Sequence, residues 1–193
     1  EAKITAWFNN PNLVRIYDVG LENNVYFYAM ELVEGENMSE KLSREGRILV
    51  HDAIKIIRQI AKALAHVHSY QYIHSEINPR NIAIREDGVA KLLDIGSAIS
   101  IKKETKAGGK LTKMPQYMAP EQFQGGILDV RTDIYSLGAT FYRMLSGQSP
   151  TSGKTVEDIK KSILEQDPVP VHEVDHTIPE DISKIVQRML RKD

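Results

Sequence analysis

Apolar positions along the chain fall into two rhythms. From His51 to Tyr70 they recur at helical spacing, with Ile54, Ile57, Ala61, Leu64 and Val67 on one predicted buried stripe. A second helical stripe runs through Leu137, Phe141 and Leu145, and Gly147-Gln148-Ser149-Pro150 closes it. Shorter helices are expected over Ser39–Arg44, over Thr155–Leu164 with Val156, Ile159 and Ile163 inward, and from Ile182 to Leu190. Strand-like runs rich in β-formers occupy 13–19 and 25–30, joined by a turn at Glu22-Asn23-Asn24 as a hairpin. A second strand pair, Ile82–Arg85 and Val89–Leu93, turns at Glu86-Asp87-Gly88. Residues 1–10 read as the end of a helix that Pro11 breaks. The pattern holds no internal repeat and no low-complexity segment.

Composition narrows the class. The 193 residues are 41% hydrophobic and 26% charged, which fits a soluble globular chain with one sizeable core or two small ones. The net charge of −1 gives no general attraction to nucleic acid or to an anionic membrane. The absence of cysteine excludes a disulfide scaffold and zinc–thiolate sites, and fits the cytoplasm. No signal peptide or membrane-length apolar run is expected. The chain begins at Glu1 and ends within a helical pattern, so it reads as a fragment of a longer protein.

One stretch carries chemistry. Ile73-His74-Ser75-Glu76-Ile77-Asn78-Pro79-Arg80-Asn81 forms a polar, Pro-pinned loop, and Asp94-Ile95-Gly96 follows the next strand pair. The two strands bring Asn81 and Asp94 toward one another. An amide oxygen and a carboxylate are hard ligands, and a site with one or two protein oxygens plus phosphate and water suits Mg²⁺. His66 and His68 lie near the end of the long helix and fit capping or packing, because two His at i, i+2 do not share a helix face.

These motifs resemble eukaryotic-type Ser/Thr protein kinases, bacterial ones most closely. The loop is similar to H-R-D-x-K-P-x-N followed by D-F-G, and Met118-Ala119-Pro120-Glu121-Gln122 and Asp133-Ile134-Tyr135-Ser136-Leu137-Gly138 resemble the family's A-P-E and D-x-x-S-L-G blocks. Small-molecule phosphotransferases share the loop logic but lack those two blocks. The resemblance implies an α+β, kinase-like fold. Residues 1–34 would be a residual small lobe of helix end, hairpin and hinge, and 35–193 a mainly helical large lobe. It implies ATP and Mg²⁺ as cofactors and a protein substrate or regulated partner. It places nucleotide contacts at Glu31, Val33, Asn37 and Ala83, metal contacts at Asn81 and Asp94, and structural roles at His74, Glu121 and Asp133. Asp133 is expected to hold the backbone at His74. Glu1 falls on the helix glutamate that pairs with the ATP-contacting lysine, but that lysine and the Gly-rich loop precede this stretch in the family, so Glu1 reads as a solvated residue. Residues 97–113, with Thr105 and Thr112 as candidate phosphorylation sites, fall on the activation segment.

The departures cluster at the catalytic positions, Glu76 and Asn78. Glu76 stands for the catalytic Asp, Asn78 for the Lys, Ser75 for the Arg, Ile95 for the Phe, and Lys113-Met114 for a Gly-Thr pair. The extra methylene of Glu76 displaces its carboxylate by about 1.5 Å on a fixed backbone. A misplacement of ~1 Å can cost ~10²-fold in rate. Asn78 lacks a charge whose loss commonly costs ~3 kcal/mol of transition-state stabilisation. Transfer slower by ~10³–10⁴-fold is the expectation. Three readings follow: a pseudokinase that binds Mg-ATP and transfers poorly, a working Ser/Thr kinase with Glu76 as base, and a non-catalytic scaffold or decayed remnant.

Overall fold

The computed structural model describes residues 8–23, 25–95, 98–101 and 114–192. Glu1, Gly96, Thr105, Thr112 and the other lysine-rich positions of 102–113 lie outside the described residues, and so do the expectations placed on them.

The chain opens with an antiparallel hairpin, β1 (Ile16–Glu22) and β2 (Val25–Met30), with an irregularity between Ile16 and Asp18. The first strand therefore starts later than the 13–19 expected. Residues 12–14 do something else: Val14 N–H donates to Leu92 O and Leu92 N–H to Asn12 O, a parallel bridge to a distant strand. That bridge explains why an apolar run that alternates only partly is buried at Leu13 and Val14. The Asn12 amide reinforces it by donating to Ala90 O and Gln59 Oε1. Among the described residues the hairpin leaves Tyr17, Leu21, Val25 and Phe27 exposed.

Strand β3 (Gly35–Asn37) leads into α1 (Met38–Glu45), where Asn37 and Glu40 form a reciprocal capping box. Helix α2 (Val50–Ser69) follows. Its buried face is Ala53, Ile56, Ile57, Ile60, Ala63, Leu64 and Val67, whereas Ile54 is only half-buried and Ala61 is exposed. The expected stripe through Ile54 and Ala61 is thus out of phase in its first half. Counting in threes and fours from Ala53 recovers the true face.

Strand β4 (Tyr72–Ile73) pairs with β7 (Ile99–Ser100), and β5 (Ile82–Arg85) lies between β3 and β6 (Ala90–Leu92), all antiparallel. Beyond the 3₁₀ turn Pro115–Tyr117 come α3 (Pro120–Gln124), α4 (Val130–Ser146), α5 (Val156–Glu165), α6 (Val171–Val174) and α7 (Glu180–Met189). Helix α4 is buried over most of its circumference, Leu137, Phe141 and Leu145 included, and is the centre of the helical part. Gly138 sits against α7, where an added Cβ would stand 2.7 Å from Met189 Cβ, so only glycine permits this approach. This α+β arrangement is the fold class read from the sequence. Among the described residues no helix is long and apolar enough to cross a membrane.

Candidate active site

The polar loop hangs from one buried carboxylate. Asp133, in the first turn of α4, is fully buried. Its Oδ2 accepts from His74 N–H at 2.8 Å and from His68 Nε2 at 2.7 Å, and its Oδ1 accepts from Ser75 N–H at 2.8 Å. A carboxylate only accepts, so His68 Nε2 is the donor. This is the role expected of Asp133, with one addition. Local spacing suggests capping or packing for His68, yet its ring is the third donor. Its pairing partner lies far along the chain, which local spacing does not reveal. His66 does pack, edge-on to Phe8 and Tyr70.

His74 is the next support. It is fully buried, its Nε2 lies 2.8 Å from Leu93 O, and its Nδ1 accepts from Glu76 N–H at 3.3 Å. With Nδ1 accepting, Nε2 is the ring nitrogen that donates, to Leu93 O. Ser75, between them, has φ +67°, a left-handed conformation that costs a non-glycine residue energy and is held here from outside. Asp94 has φ +59° and is also left-handed.

Two amides close the loop. Asn78 Oδ1 accepts from Arg80 N–H and its Nδ2 donates to Glu76 O, both at 3.0 Å, starting the 3₁₀ turn Pro79–Asn81. Asn81 Nδ2 donates to the same Glu76 O at 2.8 Å. The amide of Asn78 is thereby engaged at both ends. That of Asn81 is engaged, among the described residues, at its donor end, so its oxygen could serve a ligand. Asn81 O in turn accepts from Leu93 N–H at 2.8 Å, which ties Asn81 beside the residue preceding Asp94. An amide oxygen and an exposed carboxylate so joined fit a Mg²⁺ ion that keeps phosphate and water as its other ligands. Among the described residues no cluster of three or more His, Cys, Asp or Glu could hold a metal by itself.

The positions assigned to nucleotide form a connected series. Asn37 lies opposite Ala83, and Ala83 opposite Lys91. Lys91 Nζ lies 2.8 Å from the Glu31 carboxylate, and Glu31 N–H donates to Arg15 O. Asn37 Oδ1 is committed to capping α1, and Val33 sits half-buried in the connection 31–34. Glu121 accepts from Thr132 Oγ1, fastening α3 to the start of α4. Glu76 and Asn78 share a small cleft with Met114, Tyr117, Met118 and Gln122.

The sequence motifs do not single out Lys91, yet a cation between Ala90 and Leu92 in an otherwise apolar strand signals a buried partner. Burial works to raise the Glu31 pKa, but the hydrogen bonds from Lys91 and Arg15 and the charges of Lys91 and Arg85 outweigh it, and the carboxyl is held below its ordinary range. A carboxyl lowered in the folded state stabilises the fold above its unfolded pKa, and that contribution is lost as pH falls through the folded pKa. Lys91→Met is therefore expected to cost ~1–3 kcal/mol at pH 7. It should also flatten the stability loss on acidification, as read by urea unfolding at pH 7 and pH 4.

Comparison with known proteins accords with this geometry. The family model described as "Protein kinase domain" matches residues 1–193. The chain belongs to the protein kinase family. A probable serine/threonine-protein kinase of Clostridium acetobutylicum is 35% identical over 193 residues, covering 100% of this chain and 29% of the relative. One of Clostridium perfringens is 32% identical over 194 residues, with 100% and 28% covered. The serine/threonine-protein kinase PrkC of Bacillus subtilis is 31% identical over 194 residues, with 100% and 30% covered. The chain thus sits among bacterial-like Ser/Thr kinases of eukaryotic type and spans less than a third of the length of these curated relatives.

Proposed function

We propose that this kinase domain binds Mg-ATP and transfers phosphate poorly, as a pseudokinase. The observation that carries the reading is the closure of the Asn78 amide on Glu76 O and Arg80 N–H. At the position where the family carries a lysine there is no charge, and the amide is occupied within the loop. The metal side of the site is better preserved. Asn81 and Asp94 would hold Mg²⁺, which supplies charge neutralisation to the nucleotide phosphates when bound. Glu31, Val33, Asn37 and Ala83 would face the nucleoside, and a protein substrate or regulated partner would meet the cleft at Glu76. On this reading the hairpin and hinge up to residue 34 form the small-lobe side and the chain from residue 35 the large-lobe side, working in the cytoplasm.

A second reading, an active Ser/Thr kinase, draws support from Glu76 itself. Its carboxylate is half-buried, lines the cleft, and accepts no hydrogen bond among the described residues. That leaves it available as a base.

Binding is tested by titrating ATP into the full-length protein, with Mg²⁺ and with a chelator. Asp94→Asn is expected to weaken the Mg²⁺-dependent affinity by ~10-fold or more while leaving the chelator titration unchanged. Equal binding by both proteins in Mg²⁺ would remove Asp94 from the site.

A further inference from the structure

Between the loop and the segment facing it stands Gln122. Its side-chain oxygen accepts from Ala119 N–H at 2.9 Å and its side-chain nitrogen donates to Ser75 O at 3.0 Å. The partners fix the orientation of the amide, since a backbone N–H only donates and a carbonyl only accepts. Ser75 is the left-handed residue whose N–H is held by Asp133. Its C=O belongs to the same peptide plane as the Glu76 N–H, and that N–H is held by His74 Nδ1. The plane that launches Glu76 is therefore fixed at its oxygen by Gln122 and at its nitrogen by His74. The other end of the Gln122 amide is fixed to the backbone of Ala119, just beyond Met114, Tyr117 and Met118, which line the cleft with Glu76.

We propose that Gln122 is a positioning residue for phosphate transfer: it registers the Met114–Gln124 segment to the peptide plane carrying Glu76. The inference deepens the reading of this cleft as a phosphotransfer site and rests on it. No simple substitute supplies both ends of the bridge. Alanine removes both. Glutamate keeps an acceptor for Ala119 N–H, so the start of α3 stays capped, but offers no donor to Ser75 O.

That difference separates positioning from mere capping. Steady-state transfer to a Ser/Thr peptide is measured for the full-length protein and for the same protein carrying Glu76→Asp, Asn78→Lys and Met114→Thr, each with Gln122, Gln122→Ala or Gln122→Glu. The expected result is a kcat lower by ~10-fold or more for both Gln122 variants, since misplacement by a fraction of an ångström suffices. KM for ATP should stay within about twofold, and Gln122→Glu should remain folded with a somewhat lower melting temperature, because a carboxylate oxygen then faces Ser75 O. A capping role alone would leave Gln122→Glu with parental kcat, and that result overturns the inference while the site reading stands. Absence of transfer in both backgrounds overturns the site reading and, with it, the assignment to Gln122.

Discussion

Glu76→Asp, Asn78→Lys and Met114→Thr, combined in the full-length protein, are expected to raise phosphate transfer to a Ser/Thr peptide by ~10³-fold. The gain is geometric at Glu76, electrostatic at Asn78 and a matter of hydrogen bonding at Met114. Shortening residue 76 draws the carboxylate back by about one bond length toward a backbone that His74 and Gln122 already hold. Lysine at 78 introduces the missing positive charge, and threonine at 114 a hydroxyl in a cleft where methionine has none. The gain in rate has a structural cost. Asn78 begins the 3₁₀ turn and bonds Glu76 O, and lysine does neither. A loss of ~1 kcal/mol is expected. In a domain of this size that lowers the melting temperature by ~2–4 °C. A repaired protein that is less stable and faster would show that Asn78 serves the loop's structure at the expense of transfer. A repaired protein that transfers at the same measurable rate as the unrepaired one would place the defect outside these three residues.

Asp133→Ala is expected to destabilise the protein by ~3–5 kcal/mol, the second large effect. Among the described residues three donors converge on this fully buried carboxylate, two of them backbone N–H groups of the polar loop. Removing it leaves all three without their partner, and each such group costs ~1–3 kcal/mol. A side-chain amide in its place would present an NH₂ to at least one of these donors, so Asp133→Asn is expected to lose ~2–4 kcal/mol rather than little. Urea unfolding reads both. The left-handed Ser75 is held through this carboxylate, so Asp133→Asn should also lower transfer in the repaired background. A loss under ~1 kcal/mol for Asp133→Ala would mean that the loop holds its shape unaided.

Much of this architecture was legible in the sequence because its signals are local. The strand Ile82–Arg85 is placed to the residue, and its partner and the helices at 38–45, 50–69 and 130–146 within a residue or two or by their apolar stripe, since periodicity and turn chemistry sit within each segment. The neighbourhood of Asn81 and Asp94 follows from the short strand pair between them, and the structure ties them through Leu93. What stays hidden depends on contacts distant in sequence. The Lys91–Glu31 pair, the His68 ring on Asp133 and the Gln122 bridge to Ser75 each join segments that no local rhythm connects. The phase error on α2 is of the same origin. Ala61 and Ala63 are alike in character, and only the packing of α2 against α4 and β6 decides which is buried.

A kinase domain that binds nucleotide but carries a disabled loop is tested by one paired measurement on the unrepaired full-length protein. Mg-ATP affinity is titrated, and single-turnover transfer from labelled ATP to a Ser/Thr peptide is followed in the same preparation. The expected result is Mg²⁺-dependent binding together with transfer ~10³-fold or more below the ~1–100 s⁻¹ usual for kinases. Transfer within that usual range would contradict it and make Glu76 a working base, and absence of Mg-ATP binding would contradict it from the other side.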